Sequence, residues 1–377
     1  MMGHCVQCGE ASDLRVGYCH CGGVRLVPDR MTDEIAEMIF WPPSPLVRSR
    51  VPGLENVFLK YEGGHVTGSF KDRIMRLAVA DAVRSGAAGA VVPSSGNAAL
   101  AAAAAAAPSG LPIFAIVPLA TPQERIKPVL ARGATVIKAG NDPSEAYRAA
   151  DLAAANTNLV QLYSTFKAPV AEWACRRIGV EASRQLRAAP AAIIAPVSAG
   201  PVLAGSGHGT LQETGTLPPL IAVQAEGCCP IARAFQTGAN QVSIWTEPVD
   251  TKASSIADRL VGYPEDGTYT LSLVRQTSGQ AVAVSDGEMR LARAALFQHD
   301  GLDVELSGAA GIAWLRRQPF EGNVVCILTA SGFKHTYAGD VPLSGPENSR
   351  SKDTKYIIDI ISDFGIETAI AERGGPA

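Results

Sequence analysis

The feature that most constrains the fold is an alternation of short apolar runs with longer helical patterns, which extends from Val57 to Leu328. Seven apolar runs have the length of strands: residues 57–61, 90–92, 113–117, 135–139, 192–197, 220–225 and 324–328. Between them lie amphipathic or alanine-rich patterns typical of helices: residues 71–85, 97–107, 121–132 and 144–156. This alternation predicts an α/β protein with parallel sheets covered by helices on both faces. Ligands in such folds bind beyond the carboxyl ends of the strands.

The length of the chain, 377 residues, is too great for one ordinary hydrophobic core. We therefore expect two lobes and two smaller appendages. The predicted parts are a cysteine-rich segment at 1–28, a large domain at 29–80 and 165–340, a small domain at 81–164, and a C-terminal tail at 341–377. Within the tail, the amphipathic stretch 356–371 is expected to be a docked helix or an oligomer contact.

Charge and composition narrow the classes of partner. A net charge of -3 and a pI near 6.1 provide no field for polyanions, so neither nucleic acid nor an anionic membrane surface is an expected partner. The first residues lack the basic and apolar segments of a secretory signal, and the alanine-rich stretch 97–107 is too short to span a bilayer. We expect a cytoplasmic protein that acts on a small molecule, with 97–107 as a buried helix.

Four of the eight cysteines lie close together near the start, as Cys5, Cys8, Cys19 and Cys21. Two short cysteine pairs followed by glycines are the layout of a small zinc ribbon. The spacing predicts a structural zinc with four thiolate ligands, which would leave no open position for catalysis. A nearby histidine as a competing ligand, and a ribbon without metal, remain alternatives.

Three short strings have residue types that suit chemistry. The first, TGSFKDR at 67–73, places Lys71 in the first turn of a predicted helix, where the positive end of the helix dipole favours a neutral, nucleophilic amine. The alternative is a solvated lysine paired with Asp72. In the second, PSSGN at 93–97, hydroxyl, amide and N–H groups at a helix start suit a carboxylate and a phenolic oxygen, although a plain N-cap has the same pattern. The third, APVSAGPV at 195–202, leads from a strand into a helix and suits a phosphate.

These strings, in this order, resemble the fold type II (tryptophan synthase β-like) pyridoxal-phosphate enzymes, and within them the threonine-synthase-like family. Further similarity lies in 223–228, 301–310 and 328–334, so that the resemblance covers most of residues 45–340. It implies two parallel-sheet lobes, a pyridoxal 5'-phosphate cofactor and, commonly, a homodimer. An N-terminal cysteine ribbon also occurs in many members of this family.

The resemblance implies a role for each matching residue. Lys71 would be the Schiff-base lysine and the base that moves the α-proton. The remaining cofactor-binding residues would be Asn97 at the phenolic oxygen, Ser198, Ala199, Gly200 and Val202 at the phosphate, and Thr329 at the pyridine nitrogen. A hydroxyl at that nitrogen makes the ring a milder electron sink and favours elimination and replacement. The substrate carboxylate would be held at Ser94, Ser95 and Gly96.

The substrate-binding part departs from the family pattern. Where the family has Asn-Ser-x-Asn-Pro-x-Arg for a substrate phosphate, this chain reads YSTFKAPV at 163–170, in which only Lys167 offers a positive charge. Lysine is a point charge without the bidentate fork of arginine. The family's Asn-Pro before the lysine string is His65-Val66 here, so His65 either contributes to a new pocket or is an ordinary loop histidine. The departures predict a retained cofactor site and an altered substrate site.

The expected activity is replacement or elimination on an activated, O-phosphorylated amino acid. The alternatives are a β-replacement synthase on O-phosphoserine or O-acetylserine, of the cysteate, cysteine or diaminopropionate type, and a serine/threonine dehydratase. A paralogue that binds the cofactor without catalysis is a further alternative. A thiol enzyme that uses Cys228 or Cys229 is a poor one, because no histidine is near either in sequence.

Overall fold

The structure, a computed structural model, describes residues 2–13, 17–28, 30, 32–33, 42–141, 143–333, 347–349 and 354–363. The chain divides into two compact units. The first unit comprises Met1–Ile74 and Ser164–Lys334, and the second comprises Met75–Tyr163 and His335–Ala377. Within the described part of the chain, no helix is both long and apolar enough to cross a bilayer.

The strands, in chain order, are β1 (Met2–Cys5), β2 (Ala11–Asp13), β3 (Arg25–Leu26), β4 (Leu46–Arg48), β5 (Val57–Tyr61), β6 (Gly89–Val92), β7 (Ile113–Val117), β8 (Thr135–Lys138), β9 (Leu159–Gln161), β10 (Ala192–Pro196), β11 (Leu220–Ala225), β12 (Gln280–Val284), β13 (Val324–Leu328) and β14 (Glu347–Ser349). The described α-helices are α1 (Lys71–Arg84), α2 (Asn97–Ala106), α3 (Gln123–Leu130), α4 (Pro143–Ala155), α5 (Pro169–Leu186), α6 (Pro201–Thr214), α7 (Pro230–Gln236), α8 (Pro264–Gln276), α9 (Asp286–Ala295), α10 (Ala310–Arg317) and α11 (Thr354–Ser362).

The first unit is built on a six-stranded sheet with the order β12-β11-β10-β13-β5-β4. Every neighbouring pair is parallel except β4 and β5, which are antiparallel. The central strands β10, β11 and β13 are buried along their whole length, as their continuous apolar sequences require when helices cover both faces. The largest side chain in this core is Trp314 of α10, which packs with residues of β10, β11 and β13.

A small antiparallel sheet with the order β2-β1-β3 precedes the main sheet. It carries the first cysteine pair at the end of β1 and just beyond it, and the second pair before β3. We call residues 2–13 and 17–28 the cysteine ribbon. Two glycines shape it: Gly22 has a φ of +82°, and a Cβ on Gly23 would lie 2.5 Å from Sγ of Cys5. The cysteine segment is therefore a folded part of the first unit.

The second unit is a five-stranded parallel sheet with the order β14-β8-β7-β6-β9. Helix α2 is almost wholly alanine on its buried positions, which lets it lie close to the sheet. Helix α11 packs Ile357 and Ile361 into a core that also contains Phe114, Ile137 and Ala150. This helix confirms part of the amphipathic prediction at 356–371; the residues after 363 lie outside the described ones.

The structure confirms the α/β class and all seven predicted strands, with shifts of one residue at several ends. The predictions did not include four strands of the two main sheets: β4, β9, β12 and β14. Strand β12 sits at the edge of its sheet and is only partly buried, so its short QAVAV run carries a weak signal. The predicted small domain comprised 81–164. The observed second unit starts six residues earlier, at Met75, ends its first part at Tyr163, and also includes His335–Ala377.

Candidate active site

Three of the predicted site segments follow neighbouring strands of the first unit. Strands β5, β13 and β10 are adjacent and parallel, so their carboxyl ends meet at one edge of the sheet. The lysine string follows β5, Thr329 follows β13, and the loop that begins at Ser198 follows β10. The fold thus brings Lys71, Thr329 and the predicted phosphate loop to the same edge, where α/β enzymes bind ligands.

Backbone hydrogen bonds fix the lysine string to the end of β13. The Phe70 N–H donates to the carbonyl oxygen of Thr329 at 3.0 Å, and the Ser331 N–H donates to the carbonyl oxygen of Gly68 at 2.8 Å. Gly68 has a φ of +78°, a conformation that favours glycine. Thr329 itself is buried, with 6% of its surface exposed. The predicted ring-nitrogen residue therefore lies directly against the predicted lysine string.

Lys71 is the first residue of α1, and its amino group points into the protein. The Nζ atom lies 3.4 Å from the carbonyl oxygen of Ser164 and 4.7 Å from the centre of the Phe70 ring. Burial lowers the pKa of Lys71 to about 8, although Cys175 and Asp258 act on it in the opposite direction. At neutral pH the neutral fraction of this amine, roughly a tenth at pH 7, is therefore far larger than that of an ordinary lysine, and the neutral amine is the form that acts as a nucleophile.

The alternative of a solvated Lys71 paired with Asp72 is wrong. Asp72 is 2% exposed, and its carboxylate accepts hydrogen bonds from the Thr67 N–H at 2.8 Å and the Thr67 hydroxyl at 2.9 Å. These bonds close the turn before the helix. Ser69 is fully buried, and its Oγ has no hydrogen-bond partner among the described residues. A buried hydroxyl that lacks a partner two residues from Lys71 is consistent with a site that a ligand completes.

A buried ionic cluster lies behind the lysine string. Arg73 donates to Glu62 at 2.7 Å and to Glu181 at 2.8 Å, and Lys60 also donates to Glu181 at 2.8 Å. Although burial opposes ionisation, the Arg73 guanidinium and His65 hold the pKa of Glu62 well below its usual range. His65 is part of this cluster, because its Nε2 lies 2.8 Å from Glu62. His65 is therefore buried and is not an ordinary loop histidine. Its Nε2 atom contacts Glu62, so this atom does not face a ligand pocket.

The predicted phosphate loop is held by one residue of α8. Thr270 donates its hydroxyl hydrogen bond to the Ala199 carbonyl oxygen at 2.6 Å. Gly200 has a φ of +117°, and a Cβ there would lie 2.0 Å from Oγ1 of Thr270. Pro201 begins α6, so the helix presents its unpaired N–H groups next to the loop. A compact loop of small residues at a helix N-terminus suits a phosphate group.

The segment that departs from the family pattern, 163–170, packs against the same helix. The Phe166 N–H donates to Oδ2 of Asp266 at 2.9 Å, and the Phe166 ring meets Tyr269 edge to face, with 5.0 Å between ring centres. Lys167 is partly exposed, and its N–H lies 3.4 Å from Oγ1 of Thr165. Helix α8 therefore anchors both the phosphate loop and residues 164–167.

Ser94, Ser95, Gly96 and Asn97 lie in the second unit, between β6 and α2. The Ser94 hydroxyl oxygen accepts from the Gly96 N–H at 3.1 Å, and the Leu100 N–H donates to the Gly96 carbonyl oxygen as the helix begins. A Cβ on Gly96 would meet nothing within 4 Å. The four residues form a partly exposed helix start, as the sequence predicts.

The four cysteines come together in the cysteine ribbon. The Sγ atoms of Cys5 and Cys21 are 3.5 Å apart, and those of Cys8 and Cys19 are 3.4 Å apart. All four sulfurs lie within 4.8 Å of one another. Bonds of about 2.3 Å to a central zinc place tetrahedral sulfurs about 3.8 Å apart. This value lies between the two pair distances and the 4.8 Å limit, so the set fits such an ion after small shifts. The competing ligand is His20, which lies with Cys19 near Glu10.

Cys228 is a poor nucleophile in this structure. Its side chain is fully buried, and burial raises the pKa of Cys228 to about 12. The pKa of Cys229 is raised by burial as well. Since the thiolate is the reactive form, the geometry argues against the thiol-enzyme alternative.

Sequence reasoning missed three residues that act on these segments, Asp266 and Thr270 through hydrogen bonds and Asp258 through its charge. Asp258 accepts from the Leu260 N–H at 2.9 Å and from the Tyr263 hydroxyl at 3.1 Å, and its carboxylate and Lys71 interact electrostatically. Burial raises the pKa of Asp258. For Asp266, the sequence offered one signal, which was the pair of acidic residues in the first turn of α8. Acidic residues at a helix start are common, so this pattern did not mark Asp266 as a site residue.

The chain is similar to known pyridoxal-phosphate enzymes. The family model for pyridoxal-phosphate dependent enzymes matches residues 40–330. The threonine synthase of Methanosarcina acetivorans is 30% identical over 290 residues, which are 74% of this chain and 70% of that protein. The threonine synthase of Methanocaldococcus jannaschii is 27% identical, with 89% of this chain and 93% of that protein covered.

Among solved structures, maize serine racemase superposes with a TM-score of 0.69 at 20% identity, over 80% of this chain and 93% of that chain. A threonine deaminase from Solanum lycopersicum gives a TM-score of 0.67 at 23% identity, over 82% and 88%. At these identities the likeness shows the fold alone. The chain belongs to the threonine-synthase-like family of fold type II pyridoxal-phosphate dependent enzymes.

Proposed function

We propose that this enzyme catalyses replacement or elimination on an activated, O-phosphorylated amino acid, with O-phospho-L-homoserine as the first candidate, and that Lys71 is its catalytic residue. The observation that carries the proposal is the buried amino group of Lys71, whose pKa is lowered to about 8 beside the end of β13. A neutral amine can attack the carbonyl group of the cofactor and can later accept a proton.

The residues of the first unit fit pyridoxal phosphate. Gly200 leaves no room for a side chain beside Thr270, so the loop's backbone N–H groups are the donors that would hold the phosphate, from Ser198, Ala199, Gly200 and Val202. Thr329 would hold the ring nitrogen. From the second unit, the family resemblance assigns Asn97 to the phenolic oxygen. When bound, the cofactor supplies an electron sink for negative charge at the substrate α-carbon.

The protein's own groups handle the substrate and its protons. Lys71 would take the α-proton onto Nζ, and the Ser164 carbonyl oxygen, 3.4 Å away, would accept a hydrogen bond from the resulting ammonium group. Ser94, Ser95 and Gly96 would bind the substrate carboxylate through the hydroxyl and N–H groups at the start of α2. Lys167 would attract the substrate's phosphate group as a point charge.

A second candidate is β-replacement or dehydration of an amino acid without a phosphate, such as O-acetylserine or serine. The missing asparagines and arginine in 163–170 favour this candidate.

The test is a titration of the purified holoenzyme, followed by the absorbance of the bound cofactor and by release of phosphate. We expect O-phospho-L-homoserine to shift the absorbance and release phosphate. A response only to O-phospho-L-serine would contradict O-phospho-L-homoserine as the substrate and move the enzyme to β-replacement. A response only to L-serine or O-acetyl-L-serine would contradict a phosphorylated substrate and support the second candidate. A bound cofactor that responds to none of them would favour the paralogue without catalysis.

We also propose that Cys5, Cys8, Cys19 and Cys21 hold a structural zinc ion. Elemental analysis of the purified protein should find about one zinc per chain, as four thiolates at this spacing require. The variant Cys8→Ser should lose the metal, while the matched variant Cys229→Ser should keep it. Equal zinc content in the two variants would contradict this assignment.

We also propose, as the family resemblance implies, that the protein is a homodimeric, cytoplasmic enzyme of amino-acid biosynthesis. Sedimentation of the holoenzyme at micromolar concentration should give twice the mass of the chain, which is 39.3 kDa. A species with the mass of one chain would contradict the dimer and leave the catalytic proposal standing.

A further inference from the structure

The cysteine ribbon is joined to the body of the first unit through a tyrosine next to one of the cysteines. The hydroxyl group of Tyr18 donates a hydrogen bond to Oδ1 of Asp266 at 2.5 Å, across a separation of 248 residues in sequence. Asp266 has none of its surface exposed and lies in the first turn of α8. A short bond between a hydroxyl and a carboxyl group is among the stronger hydrogen bonds in proteins.

The other oxygen of the same carboxyl group holds the substrate segment. Oδ2 of Asp266 accepts from the Phe166 N–H at 2.9 Å. Phe166 is fully buried, and it lies between Ser164, whose carbonyl oxygen faces Lys71, and Lys167. One carboxyl group thus connects the ribbon to the segment beside the catalytic lysine.

The ribbon fixes the position of Tyr18. Arg25, which is 4% exposed, donates to the carbonyl oxygens of Gly17 at 3.0 Å and Tyr18 at 2.6 Å. Where the ribbon ends, the carbonyl oxygen of Val27 accepts from Arg176 of α5 at 2.9 Å. Tyr18 is therefore presented by a folded element that is attached at a second point, and its hydroxyl reaches Asp266 from a fixed base.

We propose that Tyr18 is a positioning residue for the substrate segment 163–170 and acts on it through the Asp266 carboxyl group. The inference rests on the proposed function, because that function assigns the segment to the substrate. With the Tyr18 hydroxyl in place, Asp266 keeps its orientation and the Phe166 N–H stays bound. Without it, the carboxyl group can rotate and the segment loosens beside Lys71. The cysteine ribbon then contributes to substrate binding without touching the substrate.

Two variants separate this role from a merely structural one. Tyr18→Phe removes only the hydroxyl group. Asp266→Asn retains an oxygen for the Phe166 N–H and an amide group that can donate to the Tyr18 oxygen, so it should preserve the connection, whereas Asp266→Ala should break it. Ser285→Ala, which removes the N-cap of α9, is the stability control because it lies outside the cofactor and substrate segments.

The first measurement is hydrogen exchange of the holoenzyme, read by mass spectrometry on peptides from 163–170 and from 198–204. It needs no substrate, so it tests the connection even if the proposed function fails. In Tyr18→Phe and Asp266→Ala we expect exchange to rise about tenfold in 163–170, the factor expected for loss of a hydrogen bond to an ionisable group. Exchange in 198–204 should stay as in the unaltered enzyme, and Asp266→Asn and Ser285→Ala should change neither peptide.

The second measurement is the dissociation constant of the amino acid that shifts the cofactor absorbance of the unaltered enzyme. Tyr18→Phe should raise this constant about tenfold and leave the dissociation constant of pyridoxal phosphate within about twofold. The double variant Tyr18→Phe/Asp266→Ala should bind no more weakly than Asp266→Ala, because both changes break one connection. Unchanged exchange in Tyr18→Phe, or equal loosening in Ser285→Ala, overturns the inference. An unaltered enzyme that responds to no amino acid overturns the proposed function instead.

Discussion

The Asp72 carboxylate accepts two hydrogen bonds from Thr67, one from the Thr67 N–H at 2.8 Å and one from the Thr67 hydroxyl at 2.9 Å. These bonds close the turn that precedes Lys71. The change Asp72→Ala should therefore lower the free energy of unfolding by about 2 to 4 kcal/mol, since it leaves a buried N–H and a buried hydroxyl unpaired. Thr67→Val removes only the hydroxyl bond and should cost about 1 kcal/mol. Urea denaturation measures both, and equal losses would contradict the assignment.

Arg73 lies between two buried carboxylates, those of Glu62 and Glu181. Arg73→Met should destabilise the protein by about 3 to 5 kcal/mol, because it leaves buried negative charge without its partner. The matched change Arg84→Met affects an exposed pair with Asp81 and should cost less than about 1 kcal/mol.

The same cluster predicts the response to acid. The pKa of Glu62 is well below its unfolded value, so the folded protein binds fewer protons than the unfolded chain as the pH falls below about 4.5. Stability from this group is complete above that pH and declines as the pH falls toward the folded pKa. Acid unfolding of the unaltered protein should be steeper than that of Arg73→Met. Parallel curves would argue against the charged cluster.

The lowered pKa of Lys71 predicts two effects of pH. Cofactor added to the cofactor-free protein should bind faster as the pH rises from 7 to 9, with a midpoint near 8, because the neutral amine is the nucleophile. Lys71→Ala should fold and show no visible band of covalently bound cofactor. A visible band in that variant that matches the unaltered enzyme would contradict the central assignment.

Lys71 should also reduce the stability of the cofactor-free protein below pH 8. Its folded pKa of about 8 lies below the ordinary lysine value of 10.5, so the unfolded chain binds more protons between these values and stability rises with pH through that window. Lys71→Met should stabilise the cofactor-free protein at pH 7 by up to about 3 kcal/mol, and this gain should shrink toward pH 10. Lys60→Met, which breaks a buried ion pair, should destabilise instead.

Gly200 and Gly215 flank the same helix, α6, and provide a matched pair of substitutions. Gly200→Ala should abolish cofactor binding or unfold the loop, because its Cβ would lie 2.0 Å from Thr270 Oγ1 at a φ of +117°. Gly215→Ala meets nothing within 4 Å and should cost only about 1 kcal/mol for its positive φ. Thr270→Ala should partly rescue Gly200→Ala. The measurements are cofactor retention after dialysis and thermal unfolding.

The sequence by itself determined the parallel architecture and most of its elements. Continuous apolar runs such as 192–197 and 324–328 identify strands that are buried on both faces, because only such strands need no polar positions. The lysine string, the loop of small residues at 195–202 and the four cysteines were recognisable because each is local in sequence. Their geometry can be predicted because the conformation of a strand, a turn or a helix start depends mainly on adjacent residues.

Only the tertiary structure decided which groups act on those motifs. The ion pairs of Lys60 and Arg73, the contact of Thr270 with Gly200, and the bond of Tyr18 to Asp266 join residues that are distant along the chain. Their individual residue types are common on protein surfaces, so no pattern in the sequence marks them. Burial converts them into strong interactions, since a charge or hydroxyl removed from water must find its partner within the fold.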